Sequence, residues 1–311
     1  MTSAAGRRPV VVAIGEVLWD VYPDGAHLGG APANFAGHAA ALGAEAWIVS
    51  AVGADELGDR AVEQLRAQGG GARVDHIARD RQHATGRVNV TLDAEKRPTF
   101  EIATDAAWDH IPWSDGLEQL AGRADAVCFG TLAQRSPGSR DTIARFLRAT
   151  RPSALRMFDV NLRQHYHDRD TIERSLELAS AVKLNEDELP VVASLCGIRA
   201  AGTPATLKAL ARQYGLRLAA LTRGPDGAIL VAGHEASSEP APPVHVVDTV
   251  GAGDAFTAAL VCDFLRGLPL AEVNRRANAV AAFVCSVAGA TGRLPASLSA
   301  DFVSWRPEIS R

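Results

Sequence analysis

The chain has 311 residues, 47% hydrophobic and 22% charged, with 36 acidic against 32 basic residues for a formal charge of −4. Those proportions fit a globular protein with a sizeable core. They exclude nucleic-acid binding through a cationic surface, and no run approaches the roughly 18 apolar residues of a membrane span. Cys128, Cys196, Cys262 and Cys285 stand far apart without a CxxC pair. They read as buried thiols of a reducing compartment, so a cytoplasmic protein with small-molecule partners, not nucleic acid or membrane, is expected.

In chain order, apolar β-branched runs predict strands at 10–14, 46–52, 126–129, 155–160, 181–184 and 218–222. Each is buried on both faces, as a parallel sheet requires. Helical stretches fall between them at 34–42, 58–68, 139–150, 169–178, 186–195 and 204–214, and beyond Gly253 the chain reads as helical to about Val287. This alternation predicts an α/β fold, a doubly wound, mostly parallel sheet with helices on both faces. Segments 16–28 and 87–103 break the pattern by alternating polar and apolar residues, with a turn at 93–98. They predict a small antiparallel sheet that forms a lid over a cleft. No linker or repeat divides the chain, so a single domain over 8–311 with a discontinuous lid is expected.

The stretch Asp248-Thr249-Val250-Gly251-Ala252-Gly253-Asp254-Ala255-Phe256 carries the chemistry. Its glycines permit a tight turn and close approach to a ligand, and the small and apolar residues that follow read as a helix. The turn therefore lies at a helix N-terminus, where N–H groups and the dipole favour an anion. Asp254 places a carboxylate beside that anion site, which suits a general base taking a proton from a hydroxyl that attacks phosphate. A glycine-rich strand-to-helix turn capped by an aspartate is the plainer alternative.

Together with Gly29-Gly30-Ala31-Pro32-Ala33-Asn34 near the front, this stretch resembles the two signatures of the ribokinase-like (PfkB) carbohydrate kinase family. The resemblance spans about Val10 to Leu294. It is nearest to fructokinase-like members through Gly15-Glu16 to Asp20, Ala106-Ala107-Trp108-Asp109 and 158–163. It implies transfer of the γ-phosphate of ATP to a sugar hydroxyl, with fructose the leading candidate and Mg2+ neutralising the phosphates. Asp254 would be the base, and the N–H groups of Gly251, Ala252 and Gly253 the anion hole. Ribose, a ketodeoxy sugar acid or a nucleoside are rival substrates, and a non-catalytic sugar sensor is a rival of another class. A homodimer is compatible with the family.

The remaining motifs each have two readings. Gly29 and Gly30 would let the backbone lie against a polyol that Asn34 hydrogen-bonds, or form a turn with Asn34 as a local cap. Asp20, placed just after a strand, would accept sugar hydroxyls or stand solvated before the turn. Arg163, in Asp159-Val160-Asn161-Leu162-Arg163, would bind substrate or a transferring phosphate, or pair with Asp159 on the surface. His165, His167 and Asp168 have a metal-like spacing but no fourth ligand in range.

Lys183, Asn185 and Glu188 follow a strand. By the resemblance they meet ATP phosphates and, at Glu188, magnesium through water; the same spacing fits a capping box. Thr222, Arg223, Gly224 and Gly227 resemble the family's nucleotide loop, and Asn278 its adenine pocket, against a turn and a structural amide. A monovalent cation, K+ in the family, would be held by Asp248 and the carbonyl of Val250, with Arg293 near enough to stand in for it.

Overall fold

The computed structural model describes residues 7–22, 25–67, 71–92, 98–290, 294–295 and 297–298. The strands are β1 (Val10–Ile14), β2 (Leu18–Tyr22), β3 (Gly25–Gly29), β4 (Glu45–Gly53), β5 (Arg73–Asp80), β6 (Gly86–Leu92), β7 (Pro98–Ile102), β8 (Ala126–Gly130), β9 (Leu155–Asp159), β10 (Ala181–Asn185), β11 (Leu218–Thr222), β12 (Ala228–Ala232) and β13 (Glu235–Glu239). The α-helices are α1 (Ala31–Ala41), α2 (Glu56–Ala67), α3 (Asp115–Arg123), α4 (Pro137–Ala149), α5 (Arg169–Leu178), α6 (Glu188–Leu195), α7 (Thr203–Gln213), α8 (Ala252–Leu265) and α9 (Leu270–Cys285).

Among the described residues the main sheet runs β13-β12-β11-β10-β9-β8-β1-β4-β5. It is parallel from β5 across to β11, and β12 and β13 are added antiparallel. Strand β1 shows why the predicted doubly wound sheet forms. Val11 and Ala13 face one buried layer, with Phe35 of α1 and Phe256 and Leu260 of α8. Val10, Val12 and Ile14 face the other, with Phe146 of α4 and Ile172 of α5. A strand covered by helices on both sides has no wet face, so its sequence carries no polar alternation.

Strand β1 sits between β4 and β8. The chain moves outward from it in opposite directions, which makes the carboxyl end of β1 the switch point where open α/β sheets hold ligands. The register aligns the other carboxyl ends beside it: Gly130 opposite Asp159, Asp159 opposite Lys183, Asn185 opposite Thr222.

A second sheet, β3-β2-β6-β7, is built from the two alternating segments. Its hairpins β2–β3 and β6–β7 are antiparallel, and β2 runs parallel to β6 where the hairpins join. The turn expected at 93–98 lies outside the described residues from 93 to 97.

Strands β12 and β13 and helix α3 were not expected, and three further differences have a local cause. The expected helix beyond Gly253 is two helices, because Gly267, at φ 70, and Pro269, which precedes α9, break it. Strand β5 carries RVDHIARD with alternating exposure, the pattern of a charged edge strand that periodicity read for buried runs passes over. Helix α1 begins at Ala31, three residues before the expected start, because Pro32 fits a first helical turn.

Candidate active site

Helix α8 starts from Gly251, whose φ of 76° and ψ of −5° are left-handed. A Cβ there would stand 2.7 to 2.9 Å from Ala290, so both the backbone angle and the space demand glycine. Gly253 is different. It lies inside the first turn without a positive φ, and a Cβ on it would meet only Lys183 Nζ, at 3.3 Å. The tight turn expected of both glycines therefore rests on Gly251 alone. Gly251→Ala should lose about 1–2 kcal/mol of stability or more, while Gly253→Ala should fold with a denaturation midpoint close to that of the parent chain. Chemical denaturation of the two variants checks this.

Asp254 is the third residue of α8 and half-buried. Asn34 donates from Nδ2 to its Oδ2 at 2.9 Å. Burial, then the charge of Asp159, pushes the Asp254 carboxyl up to about 7; Asn34, Lys183 and Arg163 oppose the rise. This corrects the alternative in which Asn34 caps its own helix. Gly30 is the N-cap residue, Asn34 is one turn inside α1, and its side chain reaches across to α8.

Beneath the turn lies a buried polar network. Lys183 Nζ donates to Asp159 Oδ1 at 3.1 Å, and Thr257 donates to Asp159 Oδ2 at 2.8 Å. Asp159 is 5% and Lys183 6% exposed, so the pair is desolvated. The alternative pairing of Asp159 with Arg163 is thus corrected. Arg163 is exposed on a loop flanked by Asn161 at φ 43 and Gln164 at φ 48, and its positive charge lowers the pKa of Glu16, Asp20 and Asp254 alike.

Glu16 had no role assigned from sequence. It follows β1 at the switch point, is 4% exposed, and its Oε2 has no hydrogen-bond partner. Burial drives its carboxyl up to about 7, partly offset by the N–H groups of Glu16 and Ala31, and the Asp254 charge adds to the rise. The signal that could have found it is a carboxylate directly after a wholly buried central strand.

Asp20 lies within β2 opposite His27, not after a strand as expected. Burial raises its pKa against the nearby charges of Arg163 and His27. Its carboxylate lies against Gly29, and Gly30, at φ 108, packs on the Glu16 carbonyl, so both glycines make room for neighbours.

Asn185 and Glu188 form a reciprocal pair. Asn185 Oδ1 accepts from Glu188 N–H at 2.9 Å, and Glu188 Oε2 accepts from Asn185 N–H at 2.8 Å, while Oε1 accepts from Leu162 N–H. The two hydrogen bonds are those of a capping box, made across the turn that leads into α6, whose own N-cap residue is Asp187. Burial raises the Glu188 pKa, and Lys183 opposes it.

Thr222 ends β11, and Arg223 closes a tight turn through Gly224 by donating its N–H to the Gly227 carbonyl at 2.7 Å. Gly227, at φ 80, packs against 239–241. Asn278 donates to Asn274 Oδ1 at 2.9 Å, and Asn274 in turn donates to Ala228 and Ser237, tying α9 to β12 and β13. Asp248 accepts the N–H groups of Val250 and Gly289, so its carboxylate braces the loop leading into α8. Val250 is exposed, and Arg293 lies outside the described residues. Asp168 caps α5 by accepting Thr171 N–H at 2.7 Å, and among the described residues His165, His167 and Asp168 do not bring three ligand atoms together as one metal-holding group. Cys128, Cys196, Cys262 and Cys285 are free, and no helix among the described residues is long and apolar enough to cross a membrane.

Comparison with known proteins agrees with this geometry. The chain is 32% identical over 272 residues to a sugar kinase of Pyrococcus horikoshii, covering 85% of this chain and 82% of that one. It is 31% identical over 303 residues to a fructokinase of Klebsiella pneumoniae, covering 91% and 95%. The solved structure of the Pyrococcus kinase in complex with ATP superposes with a TM-score of 0.76 at 30% identity, covering 90% of this chain and 93% of the other. The model of the "pfkB family carbohydrate kinase" matches residues 24–297. With that match over most of its length, and a half-buried aspartate behind a glycine turn near the sheet's switch point, the chain belongs to the pfkB family of carbohydrate kinases.

Proposed function

We propose that this carbohydrate kinase transfers the γ-phosphate of ATP to a hydroxyl of fructose, with Asp254 as the general base. The observation that carries this reading is a half-buried carboxylate, raised to about 7, in the first turn of a helix that begins with a left-handed glycine. A base with its pKa near the working pH is poised to take a proton, and the helix N-terminus beside it favours the anion that receives the electrons. In the transfer, the sugar hydroxyl gives its proton to Asp254 as its oxygen bonds to the γ-phosphorus. The bond from that phosphorus to the bridging oxygen breaks, and ADP leaves with the electron pair. The N–H groups of Gly251, Ala252 and Gly253 would stabilise the transferring group, since phosphoryl transfer relies on positioning and charge stabilisation.

Asn34 orients the base. Asp20, Arg163 and the Gly29–Gly30 backbone surround the space in which a polyol would sit. The loop from Thr222 to Gly227, with Lys183 and Asn185, would take the nucleotide. Asn278 joins that site through the α9 wall rather than as a free ligand, since its amide is engaged by Asn274. Glu188 fits magnesium through water: both oxygens already accept a backbone N–H and keep one further lone-pair direction each. A bound magnesium ion supplies charge neutralisation of the phosphates. The second sheet acts as a lid that excludes water as a competing acceptor. The free thiols suit a cytoplasmic enzyme.

Fructose is preferred because the Klebsiella relative is a fructokinase that aligns along 91% of this chain. The test measures ADP formation with ATP, Mg2+ and a panel of fructose, ribose, a ketodeoxy sugar acid and a nucleoside. Fructose should give the largest kcat/KM. A larger value for another member reassigns the substrate, and no sugar-dependent ADP from any of them would overturn the kinase reading.

A further inference from the structure

One guanidinium touches three segments that are far apart in the chain. Arg135 lies in the connection from β8 to α4, and its side chain is only 7% exposed. Its Nε donates to Asp109 Oδ1 at 2.8 Å and its Nη2 to Asp109 Oδ2 at 2.7 Å. Asp109 is itself fixed by the Ala106 N–H, and the ring of Trp108 lies 4.0 Å from the guanidinium carbon. Nη2 also donates to the carbonyl of Ala103 at 2.6 Å. Ala103 directly follows β7, and its own N–H donates to the Arg87 carbonyl of β6, so it marks where the second sheet rejoins the body. The third segment is the loop 160–168, which carries Arg163. The ring of Tyr166 in that loop lies 4.8 Å from the same guanidinium carbon, and Tyr166 N–H donates to the Arg163 carbonyl at 3.1 Å. We propose that Arg135 is a positioning residue for the sugar site, one that ties the exit of the second sheet to the loop bearing Arg163 so that the two are set together. The proposal rests on the reading of Arg163 as a substrate contact.

The loop needs such a tie. Arg163 is exposed, and it stands between Asn161 at φ 43 and Gln164 at φ 48, left-handed angles uncommon for residues other than glycine. Backbone of this kind keeps its shape only where its surroundings over-determine it. On the near side of Arg163, Leu162 N–H donates to Glu188. On the far side, Tyr166 meets Arg135. An open cavity of about 220 Å³ lies among Thr104, Asp105, Arg135 and Tyr166, so side-chain packing leaves a gap where the sheet exit and the loop approach.

Arginine suits this place for reasons that do not extend to lysine. Its planar fork meets both Asp109 oxygens and the Ala103 carbonyl, and its flat face lies against aromatic rings. Nη1 is buried without a hydrogen-bond partner, so aromatic contact, not a further hydrogen bond, completes its surroundings. A cation shielded from water is drawn to a ring face more strongly than an exposed one.

The test compares full-length wild type, Tyr166→Phe, Tyr166→Leu and Arg135→Lys by steady-state kinetics with ATP, Mg2+ and the preferred sugar, and by amide hydrogen exchange. Arg163 would hold the sugar before and during transfer alike, so Tyr166→Leu should raise the sugar KM about 10-fold while kcat changes less than about 3-fold and the ATP KM stays put. Tyr166→Phe keeps the ring and should match wild type. Without ligands, Tyr166→Leu should speed exchange in 160–168 and, through Arg135, in 98–103, with β1 and α4 unchanged. Arg135→Lys should show both effects with a lower denaturation midpoint, and if it does not fold the Tyr166 variants still decide the question. A wild-type sugar KM in folded Tyr166→Leu, or faster exchange confined to 160–168, would reduce Tyr166 to local packing and overturn the proposal. A wild-type chain that forms no ADP with any sugar would instead remove the kinase reading, and the exchange comparison would then decide the tie by itself.

Discussion

Asp254→Asn should reduce kcat by about 10²-fold or more while making the protein harder to unfold. The loss of turnover follows because an amide can still accept the Asn34 hydrogen bond but cannot take the hydroxyl proton. The gain in stability follows from burial. The Asp254 carboxyl titrates near 7 in the folded chain against 3.8 when free, so the folded state binds more protons between those values. Stability from this group therefore falls as pH rises from about 4 to about 7, and above 7 the fold carries the full cost of a partly desolvated carboxylate. Removing that charge should stabilise the chain at pH 8 by on the order of 1–4 kcal/mol, with little gain at pH 4. Urea denaturation at the two pH values, beside steady-state kinetics, checks both halves. The same titration predicts that wild-type kcat/KM falls as pH drops below about 7, because the base is then protonated. A variant with near-normal turnover would remove Asp254 from the role of base.

Lys183→Met should destabilise the protein by about 3–5 kcal/mol, because it leaves Asp159 buried without its cation. Lys183 and Asp159 are both nearly inaccessible, and Thr257 supplies only a neutral donor to the same carboxylate. Activity should fall as well. The charges of Lys183 and Asp159 act on Asp254 in opposite directions, so losing the ammonium raises the base's pKa further and moves the acid limb of the rate profile to higher pH. The double variant Lys183→Met, Asp159→Asn should recover most of the stability, since no unpaired charge remains in the interior. Denaturant midpoints for the two single variants and the double variant measure the coupling. A Lys183→Met chain as stable as wild type would mean that water reaches the pair.

What the sequence determined by itself was whatever depends on neighbours along the chain. The mostly apolar strands β1, β4, β8, β9, β10 and β11 were legible because parallel strands covered on both faces need nearly continuous hydrophobic runs. The anion turn was legible because glycines, an aspartate and a helix of small residues lie within nine positions of one another. The capping pair Asn185 and Glu188 was legible for the same reason, being three residues apart. Only the tertiary structure decided matters that join distant segments. It joined Asn34 to Asp254 across 220 residues, exchanged Arg163 for Lys183 as the partner of Asp159, and put the tight turn's constraint on Gly251 by setting Ala290 against it. It also brought Glu16 beside Asp254 and gathered Ala103, Asp109 and Tyr166 around Arg135 where the second sheet meets the body. A carboxylate's titration and a cation's choice of partner depend on burial and on charges brought close by folding, and neither quantity exists in the unfolded chain.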